Sequence, residues 1–224
     1  NLLVIVLTVV PLHDIGTAIV IVTLIVKGLL LPLNLSALRT QYMMKRIEPE
    51  MKKIKELQKK DPTEASKQMI ALYKKDGINP FSSFFAMLLQ IPIFFALYFV
   101  FSKGLLNQPD SFVTFPEKLH TLAFGLFDVT QKNIIIAVLA GVSSYFLARR
   151  QTETMVTKKD GGEESFQDHL MKSMRIQLLY MLPILITFSG AFLPSALALY
   201  WFVSNTVSYG QDVYMKNKLA HLKV

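Results

Sequence analysis

The sequence predicts an all-α membrane protein: five transmembrane helices, a cytoplasmic helical hairpin and a polar groove open to the cytoplasm. Three observations predict it. Residues 15–26, 77–102, 133–148 and 176–211 carry no charged side chain. Charges crowd the segments between these runs. The Lys and Arg content of successive connecting segments also alternates between rich and poor. A helix needs ~20 apolar residues to cross the hydrocarbon layer; the last three of these runs approach or exceed that length, and the first does so if it continues past Lys27.

Composition agrees. Of 224 residues, 52% are hydrophobic and only 18% are charged, with a formal net charge of +8. In a soluble domain such a balance would direct attention to nucleic acid. In a membrane protein the placement of the basic residues carries the information, because cytoplasmic loops are enriched in them. Cysteine is absent, which excludes disulfides and cysteine-ligated metals. The first residue is Asn rather than Met, as expected of a processed or trimmed chain.

The elements follow in order. Residues 1–12 begin with NLLVIVLTVV, apolar but too short to span, and read as an interfacial helix. Residues 13–34 are the first span, interrupted by one charge, Lys27. Residues 35–79 form the helical hairpin, with eleven basic and six acidic residues up to Asp76. One of its helices follows Glu48–Pro49, with Met51, Ile54 and Leu57 as an apolar stripe. The other starts at Asp61-Pro62-Thr63-Glu64, where Asp caps and Pro takes the first helical position. It stops at Asp76–Gly77, a glycine-type C-cap.

Residues 80–102 are a Phe-rich second span, and 103–131 an external loop. Residues 132–150 are the third span, ending at Arg149–Arg150, and 151–173 a polar cytoplasmic loop. Residues 174–192 are the fourth span, with a kink expected at Pro183. Residues 193–213 are the fifth span, rich in Ser, Thr and Asn, and 214–224 a basic tail. Eleven basic residues in the hairpin, six in 149–175 and three after 213 alternate with three in 103–132 and none in 190–195. That pattern puts the hairpin, the 151–173 loop and the C-terminus in the cytoplasm, and the N-terminal end outside.

Lys27 is the most informative residue. It lies ~10–12 Å from the cytoplasmic end of its span at ~1.5 Å per residue. A lysine there costs ~2.5–3.5 kcal/mol on insertion scales, so it needs water, a partner or a purpose. One reading is snorkelling, in which the long stem carries the ammonium to the headgroups. The other is a hydrated cavity within the bundle. Thr23 and Asn34 share its helix face at i−4 and i+7, and Gln90, Thr187, Ser204 and Asn205 are polar at similar depth in other spans.

Other polar and aromatic groups have plainer readings. The Ser, Thr and Asn residues of the fifth span serve equally well as interhelical hydrogen-bonding groups or as groove lining. Tyr200 and Trp201 sit inside their span rather than at its edge. Gln90, beside Pro92, suits helix packing, and the Phe-rich second span suits a lipid-facing surface. His13, His120, His169 and His221 are scattered, with no i, i+4 pair, so no metal site is expected. No catalytic motif or paired intramembrane carboxylate is present; the chain does not read as an enzyme, and no cofactor is expected.

Three blocks resemble the YidC/Oxa family of membrane-protein insertases: IVIVTLIVKGLLLPL (19–33), MIALYKKDGINPFSSFFAMLLQIPIFFALY (69–98) and MLPILITFSGAFLPSALALYWFVSNTVSYGQD (181–212). With their spacing and the deduced topology they cover nearly the whole chain. The resemblance implies five core helices around a groove open to cytoplasm and lipid and sealed on the outer side. It places Lys27 where family members usually carry Arg, which keeps the charge but loses the bidentate fork. It implies that Thr23, Tyr200, Trp201 and Asn205 flank the groove, and Gln90 and Ser204, polar at similar depth, are expected to line it with them. It further implies that Ile91, Phe94 and Leu185 pass an incoming helix to lipid. Ser82–Ser83–Phe84, Ala86 and Ala148 depart from the family pattern.

The function implied is insertion and folding of nascent integral membrane proteins in the bacterial inner membrane, without ATP hydrolysis. Implied partners are the nascent chains, membrane lipids, the ribosome, targeting factors and the Sec translocon, with no sequence-specific nucleic acid. Two rival readings remain open on the residues alone. A transporter of small anions or lipids would use Lys27 as a ligand, although the internal repeats common in transporters are absent. A packing chaperone would depend on the fifth span and not on Lys27.

Overall fold

The computed structural model of the chain describes residues 2–9, 14–58, 60–79, 88, 91–93, 95–96, 98–99, 121–153 and 172–221. They are mostly helical: α1 (Leu2–Val9), α2 (Ile15–Leu29), α3 (Leu31–Arg46), α4 (Glu48–Gln58), α5 (Pro62–Lys75), α6 (Ile134–Glu153), α7 (Leu182–Phe192) and α8 (Ser195–His221). Two short strands, β1 (Leu122–Ala123) and β2 (Phe127–Asp128), pair antiparallel between α5 and α6. The described residues of the expected second span, Leu88 and several between Ile91 and Phe99, are helical.

Apolar, β-branched sequences such as α2 become helical in lipid because every backbone polar group must be satisfied within its own segment. Among the described residues, two helices are long and apolar enough to cross a membrane, Ile134–Glu153 and Lys172–Phe192; α2 with α3 makes a third if the bent pair is one span. The bend is 63° and falls at Leu30, with Pro32 in the first turn of α3. The expected span over 13–34 thus holds a helix, a corner and the start of a second helix that runs on to Arg46. α8 likewise runs 27 residues without a break, so the segment expected to be a tail is helical as far as His221.

The kink expected at Pro183 takes a specific form. A π-helical turn, Gln177–Met181, precedes α7, and Pro183 lies in the first turn of α7. The wider turn accommodates a residue with no N–H to donate. One turn on, the Thr187 hydroxyl donates to the Pro183 carbonyl at 2.9 Å.

α6 is the central helix, packed most extensively on α8 and α7. Its inward side is built from small residues: Ala137, Ala140, Gly141, Ser144 and Ala148 are buried. Small residues let backbones approach in the absence of a hydrophobic drive between helices. At Gly141 an added Cβ would overlap the Thr187 hydroxyl and lie 3.1 Å from the Pro183 carbonyl oxygen. At Gly190 it would lie 3.1 Å from the Ala137 Cβ.

One end of the bundle is filled by an apolar cluster and a strand pair. Leu3, Val6 and Leu7 of α1 pack with Ile15, Ala18 and Ile19 of α2 and with Ala123, Val129, Ala196, Leu199 and Tyr200. Asp14 fastens this end. Its carboxylate accepts from the Gly16 and Thr17 backbones at 2.7 and 3.3 Å, capping α2, and from the Phe124 backbone at 2.9 Å across the hairpin. The chain after β2 caps α8: the Ser195 and Ala196 N–H groups donate to the carbonyls of Gln131 and Val129 at 2.9 and 3.0 Å. The Ser195 hydroxyl donates to the Asp128 carbonyl at 2.9 Å. These bonds occupy helix donors that would otherwise be orphaned. The expected 103–131 loop thus contains an ordered strand pair, which its short length and mixed composition concealed.

α4 and α5 form the predicted helical hairpin. Ile47, Leu72 and Ile78 are its buried core, flanked by Met43, Met51, Ile54 and Tyr73. Asp61 accepts from the Thr63 and Glu64 backbones, both at 3.0 Å. Gly77 adopts φ +61°, the left-handed C-cap conformation, and the Ile78 N–H closes back on the Tyr73 carbonyl at 2.9 Å.

The close approach of α6 and α7 yields a test. Gly141→Leu should lower the stability of the detergent-solubilised protein by about 1–3 kcal/mol, the usual cost of overpacking. A thermal melt reads this. The smaller loss in Gly141→Ala should be partly recovered by adding Thr187→Ala, which removes the nearest colliding atom.

Candidate functional site

α8 carries a succession of polar side chains, and each finds its partner on a different helix. Nearest the apolar-cluster end, the Asn205 amide reaches α6, donating to the Ala140 carbonyl at 3.4 Å and the Ser143 hydroxyl at 3.3 Å. One turn further, the Lys27 ammonium of α2 donates to the Ser208 hydroxyl at 2.8 Å. Then the Asn34 amide of α3 donates to the Gln211 side-chain oxygen at 3.4 Å. Finally Asp212, 1% exposed, accepts from the Tyr42 hydroxyl at 2.9 Å and pairs with Arg150 of α6. The Arg150 guanidinium also lies over the Tyr209 ring, 5.1 Å from its centre.

Spacing explains this seam. Ser208, Gln211 and Asp212 stand at i, i+3 and i+4, one face of a helix. That face meets α2 and α3 on either side of the 63° bend. The corner at Leu30 lets one chain segment follow α8 past the point where a straight helix would diverge.

Lys27 sits two residues before the end of α2, a helix with no other charge. Its ammonium is half-buried and has a neutral hydroxyl as its hydrogen-bond acceptor. An ammonium has three donors; one meets Ser208. A positive charge held among helices and opposed, among the described residues, by a hydroxyl alone attracts anionic groups more strongly than the same charge in bulk water.

The other residues singled out from sequence fall in several places. Thr23 is buried and its hydroxyl bonds back to the Ile19 carbonyl at 2.6 Å, within its own helix. Ser204 is buried one turn before Ser208. Tyr200 belongs to the apolar cluster, and Trp201 packs against that cluster while half-exposed. Asn205 lies against α6 instead of beside Lys27. Ile91 and Leu185 are exposed, at 47% and 59%. Gln90 and Phe94 lie outside the described residues.

The Tyr42–Asp212–Arg150 cluster was not singled out by sequence. The signal was present: Arg150 and Asp212 each stand just past the end of a long uncharged run, so they share one depth with opposite signs. Past them, toward the charged end of the bundle, α3, α6 and α8 enclose a cavity of about 600 Å³.

Comparison with known proteins gives consistent matches. The 60Kd inner membrane protein family matches residues 7–221. A protein named membrane protein insertase YidC from Clostridium tetani is 33% identical over 92% of this chain and 83% of its own length. Proteins of the same name from Wolinella succinogenes and Campylobacter jejuni are 33% and 34% identical over 91% of this chain. The chain spans only 34% of the length of each of those two.

The triad makes a prediction about stability. Asp212→Ala should leave Arg150 without its carboxylate and the Tyr42 hydroxyl without its acceptor. The expected loss is about 3 kcal/mol, the low end for breaking a buried pair, because Arg150 retains some contact with water. Denaturation in mild detergent measures it, and Arg150→Met in the Asp212→Ala background should return part of the loss.

Proposed function

The chain belongs to the 60Kd inner membrane protein family, and on that premise we propose that it is a membrane protein insertase working through Lys27. It is an integral protein of the bacterial inner membrane, and its substrates are nascent membrane proteins. The observation that carries the reading is the half-buried Lys27 ammonium, held on the polar face of α8 by Ser208. The acidic or polar tail of an incoming protein enters beside α8, and Lys27 lowers the cost of taking that tail out of water. The apolar segment that follows moves into lipid past Ile91, Phe94 and Leu185. Burying its ~20 apolar residues supplies the driving force, so ATP hydrolysis is not required.

The asymmetry of the bundle supports a groove with one entrance. The outer end is filled by the apolar cluster and capped by the strand pair, whereas the polar seam runs toward the opposite end. On the five-span topology that end is cytoplasmic, and Thr23, Gln90, Tyr200, Trp201, Ser204 and Asn205 flank or support the groove. The basic hairpin of α4 and α5 is then the docking face for the ribosome, targeting factors or the arriving chain, with the Sec translocon a further partner.

Replacing Lys27 tests the mechanism. With a single-span substrate carrying an acidic N-tail, Lys27→Ala should reduce insertion into proteoliposomes roughly 5–30-fold, the effect of losing ~1–2 kcal/mol. Lys27→Arg should retain most of the activity, since it keeps the charge. Unchanged insertion by the Ala variant would remove the charge from the mechanism. A photoreactive residue in place of Leu185 or Ile91 should crosslink to the apolar segment of the substrate and not to its tail.

A further inference from the structure

The cavity of about 600 Å³ beyond the Asp212 cluster has a charge pattern that the insertion mechanism leaves unused. Six basic side chains line it: Arg39, Lys45 and Arg46 from α3, Arg150 from α6, and Lys216 and Lys218 from α8. One carboxylate, Glu153, lines it with them. Arg150 is already paired with Asp212, and the Lys45 ammonium donates to the Glu153 backbone carbonyl at 2.7 Å. Among the described residues, Arg39, Arg46 and Lys216 have no carboxylate partner. Arg39, Arg46 and Lys216 are exposed, so their charges are presented to the surroundings and attract anions at a membrane surface.

Position and wall chemistry narrow the anion. The cavity begins where the uncharged runs of α6 and α8 stop, at Arg149 and Asp212, which is the level where hydrocarbon gives way to headgroups. Ser208, which holds Lys27, and Lys216 are eight residues apart on one helix, ~12 Å at ~1.5 Å per residue, so the cavity is separate from the Lys27 contact. Met43, Met215 and Leu219 give it an apolar wall beside the basic one. Its volume is in the range of small-ligand sites, ~300–1,000 Å³, and it lies between three helices instead of on an open face. A basic pocket between helices at the membrane surface, with apolar side chains beside the basic ones, offers groups for both halves of a phospholipid.

We propose that this cavity binds the phosphate-bearing headgroup of an anionic membrane lipid, with Arg39, Arg46 and Lys216 as its principal ligands and the Met43–Met215–Leu219 wall against the start of the acyl chains. The site depends on the protein being embedded in a membrane, and not on any role of Lys27 in insertion. A lipid seated there ties α3 to the inner end of α8 and reduces the repulsion among the basic residues that meet at this corner.

The test uses the full chain, reconstituted in vesicles of phosphatidylglycerol and phosphatidylcholine and then released for native mass spectrometry. The wild type should retain phosphatidylglycerol in preference to phosphatidylcholine. The triple variant Arg39→Gln, Arg46→Gln, Lys216→Gln should lose that preference by roughly tenfold, since each interfacial cation strengthens attraction to anionic lipid severalfold. Lys27→Ala should leave it unchanged, which separates this site from the insertion mechanism. Equal retention of the two lipids, or an undiminished preference in the triple variant, would overturn the proposal. So would thermal stabilisation by inorganic phosphate equal to that by phosphatidylglycerol, since that result would assign the site to a free anion. If the triple variant does not fold, Arg39→Gln and Lys216→Gln are measured singly, and each must weaken the preference.

Discussion

α8 cannot sit in a membrane alone. Ser204, Asn205, Ser208, Gln211 and Asp212 would each present an unsatisfied polar group to hydrocarbon, at a cost of several kcal/mol apiece. The rest of the bundle is arranged to meet that requirement. Asn205 fixes α6 through Ala140 and Ser143, Ser208 takes the ammonium of α2, Gln211 takes the amide of α3, and Asp212 joins α3 to α6. Each polar residue of α8 therefore specifies a neighbour as well as a contact. Apolar packing alone would give little orientation, because lipid competes with any Leu or Ile surface.

The bonds differ in kind along the helix, and the difference separates structure from function. The Asn205 contacts and the Asp212 pair are closed: donors meet acceptors, and Asp212 is shielded from solvent. The Lys27 contact is not closed, because a hydroxyl satisfies a proton but does not neutralise a charge. A bundle built only for stability would place a carboxylate opposite Lys27, as it does opposite Arg150. The apolar-cluster end shows what a closely packed region of this chain is like. There, α1, the strand pair and the first turns of α2 and α8 fill space with Leu, Ile, Val and Ala, and Asp14 is spent on backbone N–H groups.

The helical hairpin was legible in detail because its signals are local. Asp61 before Pro62 and Gly77 after Lys75 each act within a few residues, so sequence alone placed both ends of α5. The membrane character was legible from the uncharged runs, and Lys27 was conspicuous because nothing like it stands nearby in the sequence. What was not legible depends on distance. Asp212 and Tyr42 are separated by 170 residues, and only the fold brings them together. The 63° corner at Leu30 had a local cue in Pro32, but a proline in a first turn is compatible with a straight continuation, so the angle is set by packing of α3 on α8. The strand pair was hidden for another reason: two residues per strand are too few to show alternation. Asn205 was a polar residue with two eligible faces, and α6 rather than Lys27 supplies its partners.

The identity of the cation at position 27 bears on what the site can select. A guanidinium would offer a planar fork and favour a carboxylate presented in one orientation. An ammonium is a point charge on a flexible stem, and one of its three donors is already turned toward Ser208. Such a group attracts negative charge with little demand on geometry. For a protein that receives many different polar tails, loose recognition is adequate, because the decisive energy comes from the apolar segment that follows. On the proposed mechanism Lys27 sets where a chain enters, Ser208 keeps the ammonium directed along α8 instead of toward the headgroups, and the lipid-facing residues of the second and fourth spans set where the chain leaves. The hydrogen bond to Ser208 supports the wet-groove reading of Lys27 over free snorkelling, because it holds the ammonium on the face of a neighbouring helix.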